Sequence, residues 1–260
     1  MTSVVRMLAI ALMGLALPAI GAAQAEAVKV GISAEPYPPF ASPDASGKWT
    51  GWEVEITDAI CKAAKLDCEI VPVAWDGIIP ALTSRKIDAI FASMSITPER
   101  LQTIDFSDKY YNTPAGVIGP KAEKFAATPE ALKGKVIGVQ VATIHENYVR
   151  KYFTGAAEVK TYQTQDEADQ DLVAGRVDAV QADVVALQAF LESTDGKACC
   201  DLKGEVKPDV EVLGPGAGAG LRKGDDALKS KINAAIKQIR ADGSYDKISK
   251  KYFDFDIYGK

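Results

Sequence analysis

One arginine, a few carboxylates, several hydroxyls and two large aromatics recur in this chain at one kind of place, just after a short apolar run. Glu35 and Tyr37 follow VKVGI at 28–32, and Trp75 follows EIVPV at 69–73. Ser93 and Ser95 follow IDAIF at 87–91 and lead into Thr97-Pro98-Glu99-Arg100. Thr143 and His145 follow VIGVQ at 136–140, and Asp183 follows VDAVQ at 177–181. Collected in one cleft, this set suits a zwitterion. A guanidinium grips a carboxylate through two parallel hydrogen bonds, and a buried carboxylate accepts from an ammonium. Serine hydroxyls and strand-end backbone groups meet the remaining valences. Taken singly, each residue has an ordinary structural explanation. Arg100 reads as a solvated helix residue, Asp183 as the cap of the next helix, and Ser93 and Ser95 as turn residues. Tyr37 and Trp75 read as core, and His145 as exposed. Their shared position argues for a site, because ligands of open α/β sheets bind beyond the carboxyl ends of strands.

The elements that must position these residues alternate between short apolar runs and helix-length amphipathic segments, which is α/β layering. Strands are predicted at 28–32, 69–73, 87–91, 115–118, 136–140, 158–162, 177–181 and 210–213. Helices are predicted at 53–66, 76–85, 98–103, 129–133, 144–152, 165–174, 183–193 and 225–241. Thr97-Pro98-Glu99 and Thr128-Pro129-Glu130 share a start signal: a threonine cap, Pro at the first helical position and an acid in the first turn. LTSRKIDAI at 82–90 returns as LVAGRVDAV at 172–180, and KVGI at 29–32 is echoed by VIGV at 136–139. Two echoes in the same order favour duplicated lobes. NTPAG at 112–116 reads as a hinge. Lobe 1 is then expected at 26–111 and 215–260, lobe 2 at 116–208, with hinges near 112–115 and 209–214. The Gly-rich GPGAGAG at 214–220 lacks the strand–turn–helix setting of a phosphate loop and reads as flexible backbone in the return crossing.

At 260 residues the chain is long for one module and comfortable for two. Its 47% apolar and 25% charged residues exclude a disordered chain, and a net charge of −5 lacks the basic footprint of a nucleic-acid partner. One histidine and four cysteines leave little for a metal centre, and no metal or cofactor is expected. Arg6, the apolar run at 7–20 and the small residues GAAQA at 21–25 read as a secretion signal cleaved near residue 25. The run is too short to span a bilayer and Pro18 interrupts it. Export makes disulfides admissible. Cys61 falls in the predicted helix and Cys68 begins the next strand; a bridge there would staple the two at a gain of about 2–3 kcal/mol. For the adjacent Cys199 and Cys200 a strained vicinal bridge and two free thiols both stay open.

The same residues, in order, resemble the bacterial extracellular solute-binding proteins of family 3, in the lysine/arginine/ornithine- and histidine-binding branch. The similarity runs from YPPF at 37–40 and GWEVEITDAIC at 51–61 through KIDAIFASMSITPER at 86–100, IDFSDKYY at 104–111, LKGKVIGVQ at 132–140 and AGRVDAVQAD at 174–183. It ends with IRADGSYDKISKKYFDFDIYG at 239–259. The resemblance implies a type II periplasmic binding-protein fold, two α/β lobes joined by two hinge crossings and closing on ligand. It implies that Arg100 clamps an α-carboxylate with Thr143 and the backbone near Ser95, and that Asp183, with Ser93 beside it, holds an α-ammonium. Tyr37 and Trp75 match the pocket walls, Trp75 being larger than is usual in the branch, and Cys61 and Cys68 match a disulfide. Ala142-Thr143-Ile144-His145 stands where the branch often reads Gly-Thr-Thr-Gln. The branch's acidic residue near Ser33 or Ala34 is out of register, with Glu35 adjacent. The expected partners are a small amino acid, polar or cationic or a derivative, and an inner-membrane ABC permease. The protein is expected in the periplasm as a monomer.

Two other classes compete. Dehydratases related to these receptors use the same scaffold, and such an enzyme needs an acid or base over its substrate. His145 and Glu35 are the candidates, and neither stands in a recognisable catalytic motif. The ligand-sensing domain of a membrane receptor is disfavoured by the lack of a spanning segment after the signal.

Overall fold

The computed structural model describes residues 27–259, so the secretion signal expected at 1–25 lies outside the described residues. In chain order the strands are Val28–Ser33 (β1), Ser42–Pro43 (β2), Trp49–Thr50 (β3), Cys68–Val73 (β4), Ala89–Ile90 (β5), Asp105–Tyr111 (β6), Ala115–Pro120 (β7), Val136–Gln140 (β8), Glu158–Tyr162 (β9), Ala179–Asp183 (β10), Cys200–Glu205 (β11) and Ala217–Leu221 (β12). The helices are Trp52–Ala63 (α1), Ile78–Thr83 (α2), Ile144–Tyr152 (α3), Gln165–Val173 (α4), Val184–Glu192 (α5), Thr194–Cys199 (α6), Val210–Leu213 (α7), Asp226–Ala241 (α8) and Ser244–Ser249 (α9). No helix among the described residues is long and apolar enough to cross a membrane.

The strands form two five-stranded sheets of matching plan, ordered β4-β1-β5-β12-β6 and β11-β7-β10-β8-β9, with β2 and β3 as a small separate hairpin. In the first sheet β1 runs parallel to β4 and β5, and in the second β8 runs parallel to β9 and β10. Antiparallel β12 and β6, and β7 and β11, complete the respective sheets. The chain passes from the first sheet to the second after β6 and returns before β12, so the first sheet is built from two separate stretches of the chain.

The sequence echo has a physical basis. α2 and α4 end in the same 6→1 turn, with Lys86 N–H on Ala81 O and Arg176 N–H on Asp171 O. Both turns require a left-handed residue, Arg85 at φ 63° in one and Gly175 at φ 67° in the other. The aspartates of IDAI and VDAV then do one job twice. Asp88 accepts from Lys29 N and donates its own N–H to Lys29 O; Asp178 does the same with Val136. Each aspartate pins one parallel strand to its neighbour.

In the core of the first lobe, Trp52 is ringed by Phe40, Tyr110, Tyr111, Tyr245 and Phe253. Its indole N–H donates to Ser249 Oγ at 3.0 Å. α8 covers this core with Ile232, Ala235, Ile236 and Ile239, the face expected of 3.6-residue periodicity. Cys61 and Cys68 are bonded, Cα to Cα 6.2 Å, and tie α1 to β4. Cys199 and Cys200 are paired to each other where α6 meets β11.

Several expectations are corrected. The strand predicted at 210–213 is the short helix α7, nucleated by Asp209, whose side chain accepts from Glu211 N–H. The helix predicted at 98–103 is a 3₁₀ turn, Arg100–Gln102. The one predicted at 129–133 is a run of turns. Both threonine caps form, from Thr97 to Arg100 N–H and from Thr128 to Ala131 N–H, but too few residues follow to extend the helix. The segment at 76–85 splits into a 3₁₀ turn, Trp75–Gly77, and α2. The glycine-rich stretch taken for a flexible crossing contains β12, a wholly buried strand inside the first sheet. Its small residues answer to space, not mobility: a Cβ on Gly218 would meet Ile96 Cδ1 at 2.9 Å.

Candidate functional site

All nine residues picked out at strand ends line a single cavity between the lobes: Glu35, Tyr37, Trp75, Ser93, Ser95 and Arg100 from one side, Thr143, His145 and Asp183 from the other. Arg100 sits on the 3₁₀ turn beyond β5. Its Nη1 donates to Ser95 O at 3.0 Å, and its Nη2 reaches across to Ala142 O at 3.3 Å. The guanidinium lies over the Trp75 ring, 5.4 Å from its centroid. Burial lowers its pKa to about 10, against the Glu99 carboxylate that favours the charged form, so it stays cationic at neutral pH.

Asp183 ends β10 and precedes α5, yet its side chain makes no capping bond, so the simple capping explanation fails. The carboxylate instead accepts from Tyr37 Oη across the cleft at 2.8 Å and from Thr113 Oγ1 at 3.0 Å, and lies 3.7 Å from His145 Nε2. Burial pushes Asp183 up, but His145, Tyr37 and Thr113 together hold it below the usual carboxylate range. Tyr37 is pushed well above the usual phenol value by burial and by the facing Asp183 charge. His145, expected at the surface, is 5% exposed. Its Nδ1 and the Trp75 Nε1 are buried without a protein partner among the described residues.

Glu35 is held in the wall by hydrogen bonds from Ser33 Oγ at 2.5 Å and from Trp75 N–H at 3.1 Å. Ser93 takes φ 54°, an uncommon conformation for a residue with a side chain. Its N–H donates to Glu53 Oε1 at 2.6 Å and its hydroxyl to Glu53 Oε2 at 3.2 Å, which holds it there. Thr143 caps α3, accepting from Glu146 N–H while donating to Gln140 O at 2.8 Å. Its hydroxyl is therefore committed to the protein.

Glu53, Gln140 and Gln165 also line the cavity, although nothing in the local sequence of Glu53 or Gln165 marks them. Glu53 reads locally as an ordinary first-turn acid of α1, but it is 2% exposed. Burial holds its carboxyl above the usual range, although Tyr110 and Ser93 donate to it, and Asp183 acts in the same direction as burial. Gln140 is the last residue of β8, a position whose register toward the cleft was legible. Gln165 opens α4 behind the capping box Thr164/Glu167.

One turn along α4, Asp169 is buried behind the cavity wall. Burial pushes its carboxyl up to about 7, with the Gln165 hydrogen bond opposing and Asp166 adding. An unfolded aspartate titrates near 3.9, so between about pH 4 and 7 the folded form keeps a proton that the unfolded form has lost. This contribution to stability is complete below about pH 4 and is lost as the pH rises from there through 7, on the order of 4 kcal/mol in all. Asp169→Asn is expected to remove it. The melting temperature of the variant relative to wild type should climb between pH 4.5 and 8, and a constant difference would reject the assignment.

Two lobes of one plan, with polar strand ends facing across a cleft, define a bilobed solute-binding protein. The family model for bacterial extracellular solute-binding proteins, family 3, matches residues 28–255, and the chain belongs to that family. It is 44% identical over 253 residues to an L-arginine-binding protein of Pseudomonas aeruginosa, covering 96% of each chain. It is 40% identical to a lysine/arginine/ornithine-binding periplasmic protein of Escherichia coli, covering 92% of each. Among solved structures, an ancestral arginine-binding protein bound to glutamine matches with a TM-score of 0.80 and 36% identity, over 88% of this chain and 98% of that one.

Proposed function

We propose that this protein is a periplasmic receptor that captures an L-α-amino acid with a cationic or strongly polar side chain and delivers it to an inner-membrane ABC permease. The observation that carries this reading is a pair of opposite charges, Arg100 and Asp183, on opposing walls of one cavity. Arg100 takes the α-carboxylate. The N-terminus of α3 helps with its first-turn backbone N–H groups, and Thr143 contributes through its backbone because its hydroxyl is engaged. Asp183 takes the ammonium, with the Ser93 hydroxyl nearby. Glu35 and the Trp75 face meet the side chain, and the surplus of carboxylates over cations favours a cationic one. A polar ligand also offers partners to the buried Trp75 Nε1 and His145 Nδ1.

Closure supplies the mechanism. Tyr37 to Asp183, Arg100 to Ala142 O and Asn147 to Glu99 all cross the cleft, and opening at the two crossings between the sheets would break them. Ligand favours the closed form to the extent that it binds that form better. One chain carries both halves of the clamp, so a monomer suffices.

A thermal-shift series tests the reading. At a hundredfold excess over Kd, one of L-arginine, L-lysine, L-ornithine or L-histidine is expected to raise the melting temperature by roughly 5–10 °C. Stabilisation only by diamines lacking a carboxylate would sink the amino-acid assignment. Turnover of prephenate or arogenate by the purified protein would replace the receptor with the dehydratase.

A further inference from the structure

Gln165 and Asp169 face the same way on α4, one turn apart, but stand in different places relative to the ligand. Gln165 lines the cavity and is 7% exposed; Asp169 does not line it and is 5% exposed. Among the described residues, the hydrogen bond that Asp169 makes is from Gln165 Nε2, at 2.9 Å. The other acids of α4 have separate duties. Glu167 closes the capping box, Asp171 is paired with Lys160 and Arg176, and Asp166 is exposed in the first turn. Asp169 lies beyond the first turn, where it gains little from the helix dipole, and a carboxylate buried on one neutral hydrogen bond is costly. Its geometry is that of a holder.

An ionised carboxylate can only accept, so it takes an N–H of the Gln165 amide and fixes which end of that amide points away from it. Gln140 is fixed in the same sense, its Nε2 donating to Gln163 O at 3.0 Å. Among the described residues no protein donor meets either Oε1. We propose that Asp169 is a positioning residue for specificity: it holds Gln165 so that, with Gln140 and Glu35, the side-chain end of the cavity presents acceptors to a ligand carrying several N–H donors, a guanidinium above all. This rests on the amino-acid reading given above and adds to it a residue that never touches the ligand.

The test compares L-arginine with L-citrulline, whose ureido group replaces a donor end by a carbonyl, using calorimetry at pH 8 where Asp169 is ionised. Asp169→Ala is expected to lower the arginine-over-citrulline preference about tenfold. Gln165→Ala should do the same, and the double variant should lose no more than either single one. A purely structural role for Asp169 would weaken both ligands together, and a preference kept within twofold in Asp169→Ala would overturn the proposal. A second readout needs no ligand: the side-chain amide ¹⁵N signal of Gln165 should move in Asp169→Ala, and an unmoved signal would overturn the positioning. Wild-type protein that binds neither compound nor any other L-α-amino acid, with the amide signal moving as expected, would instead defeat the amino-acid reading and with it the specificity role.

Discussion

Replacing Arg100 by alanine is expected to weaken L-arginine binding by about 2–5 kcal/mol, because the ligand carboxylate would be buried without its partner. Arg100 is prepared for that contact. Ser95 O and Ala142 O fix its fork from both sides of the cleft, and Trp75 supports its face. Lysine would not rescue the variant, since one ammonium cannot keep both carbonyl contacts and still offer a bidentate grip. The variant also loses a contact between the lobes, which disfavours closure for every ligand. The informative comparison is therefore with agmatine, which keeps the guanidinium but has no carboxylate. Calorimetry should show the large loss for L-arginine and a small one for agmatine; equal losses would falsify the clamp.

Asp183→Asn is expected to act on the other end of the zwitterion, at a cost of about 2–4 kcal/mol for an L-α-amino acid. The substitution keeps size and one carbonyl acceptor for Tyr37 or Thr113 while removing the charge that pairs with the ammonium. Because Asp183 is held below the usual carboxylate range, wild-type binding should not lose this interaction anywhere between pH 5 and 8. The control is 5-guanidinopentanoate, which resembles arginine without its ammonium. If Asp183→Asn weakened both compounds alike, the residue would be a latch for closure through Tyr37 and not an ammonium site.

Much of the site was legible in the chain because strand ends are. A run such as VDAVQ has to be extended, an extended run has to stop, and the polar residue at the stop points toward whatever the sheet edge faces. All nine residues chosen on that ground line the cavity. Glu53 was hidden because its local setting, an acid in the first turn of α1, is ordinary; only the approach of Ser93 and Tyr110 makes it a buried hub. β12 was hidden for a different reason. Ala-Gly-Ala-Gly-Leu has no β-branched or aromatic residue, and its glycines stand where a Cβ would crowd Ile96 or Ile90.

By itself the sequence determined the alternation of strands and helices, the repeat that carries Asp88 and Asp178, and the polar residues that terminate strands. These follow from steric periodicity, capping and turn chemistry, which act within about ten residues. Only the tertiary structure decided that the Tyr37 hydroxyl donates to the Asp183 carboxylate, 146 residues away. Likewise it decided that His145 is buried and that Asp183 leaves its helix uncapped. Desolvation and charge pairing depend on which surfaces meet, and no short stretch of chain contains both surfaces.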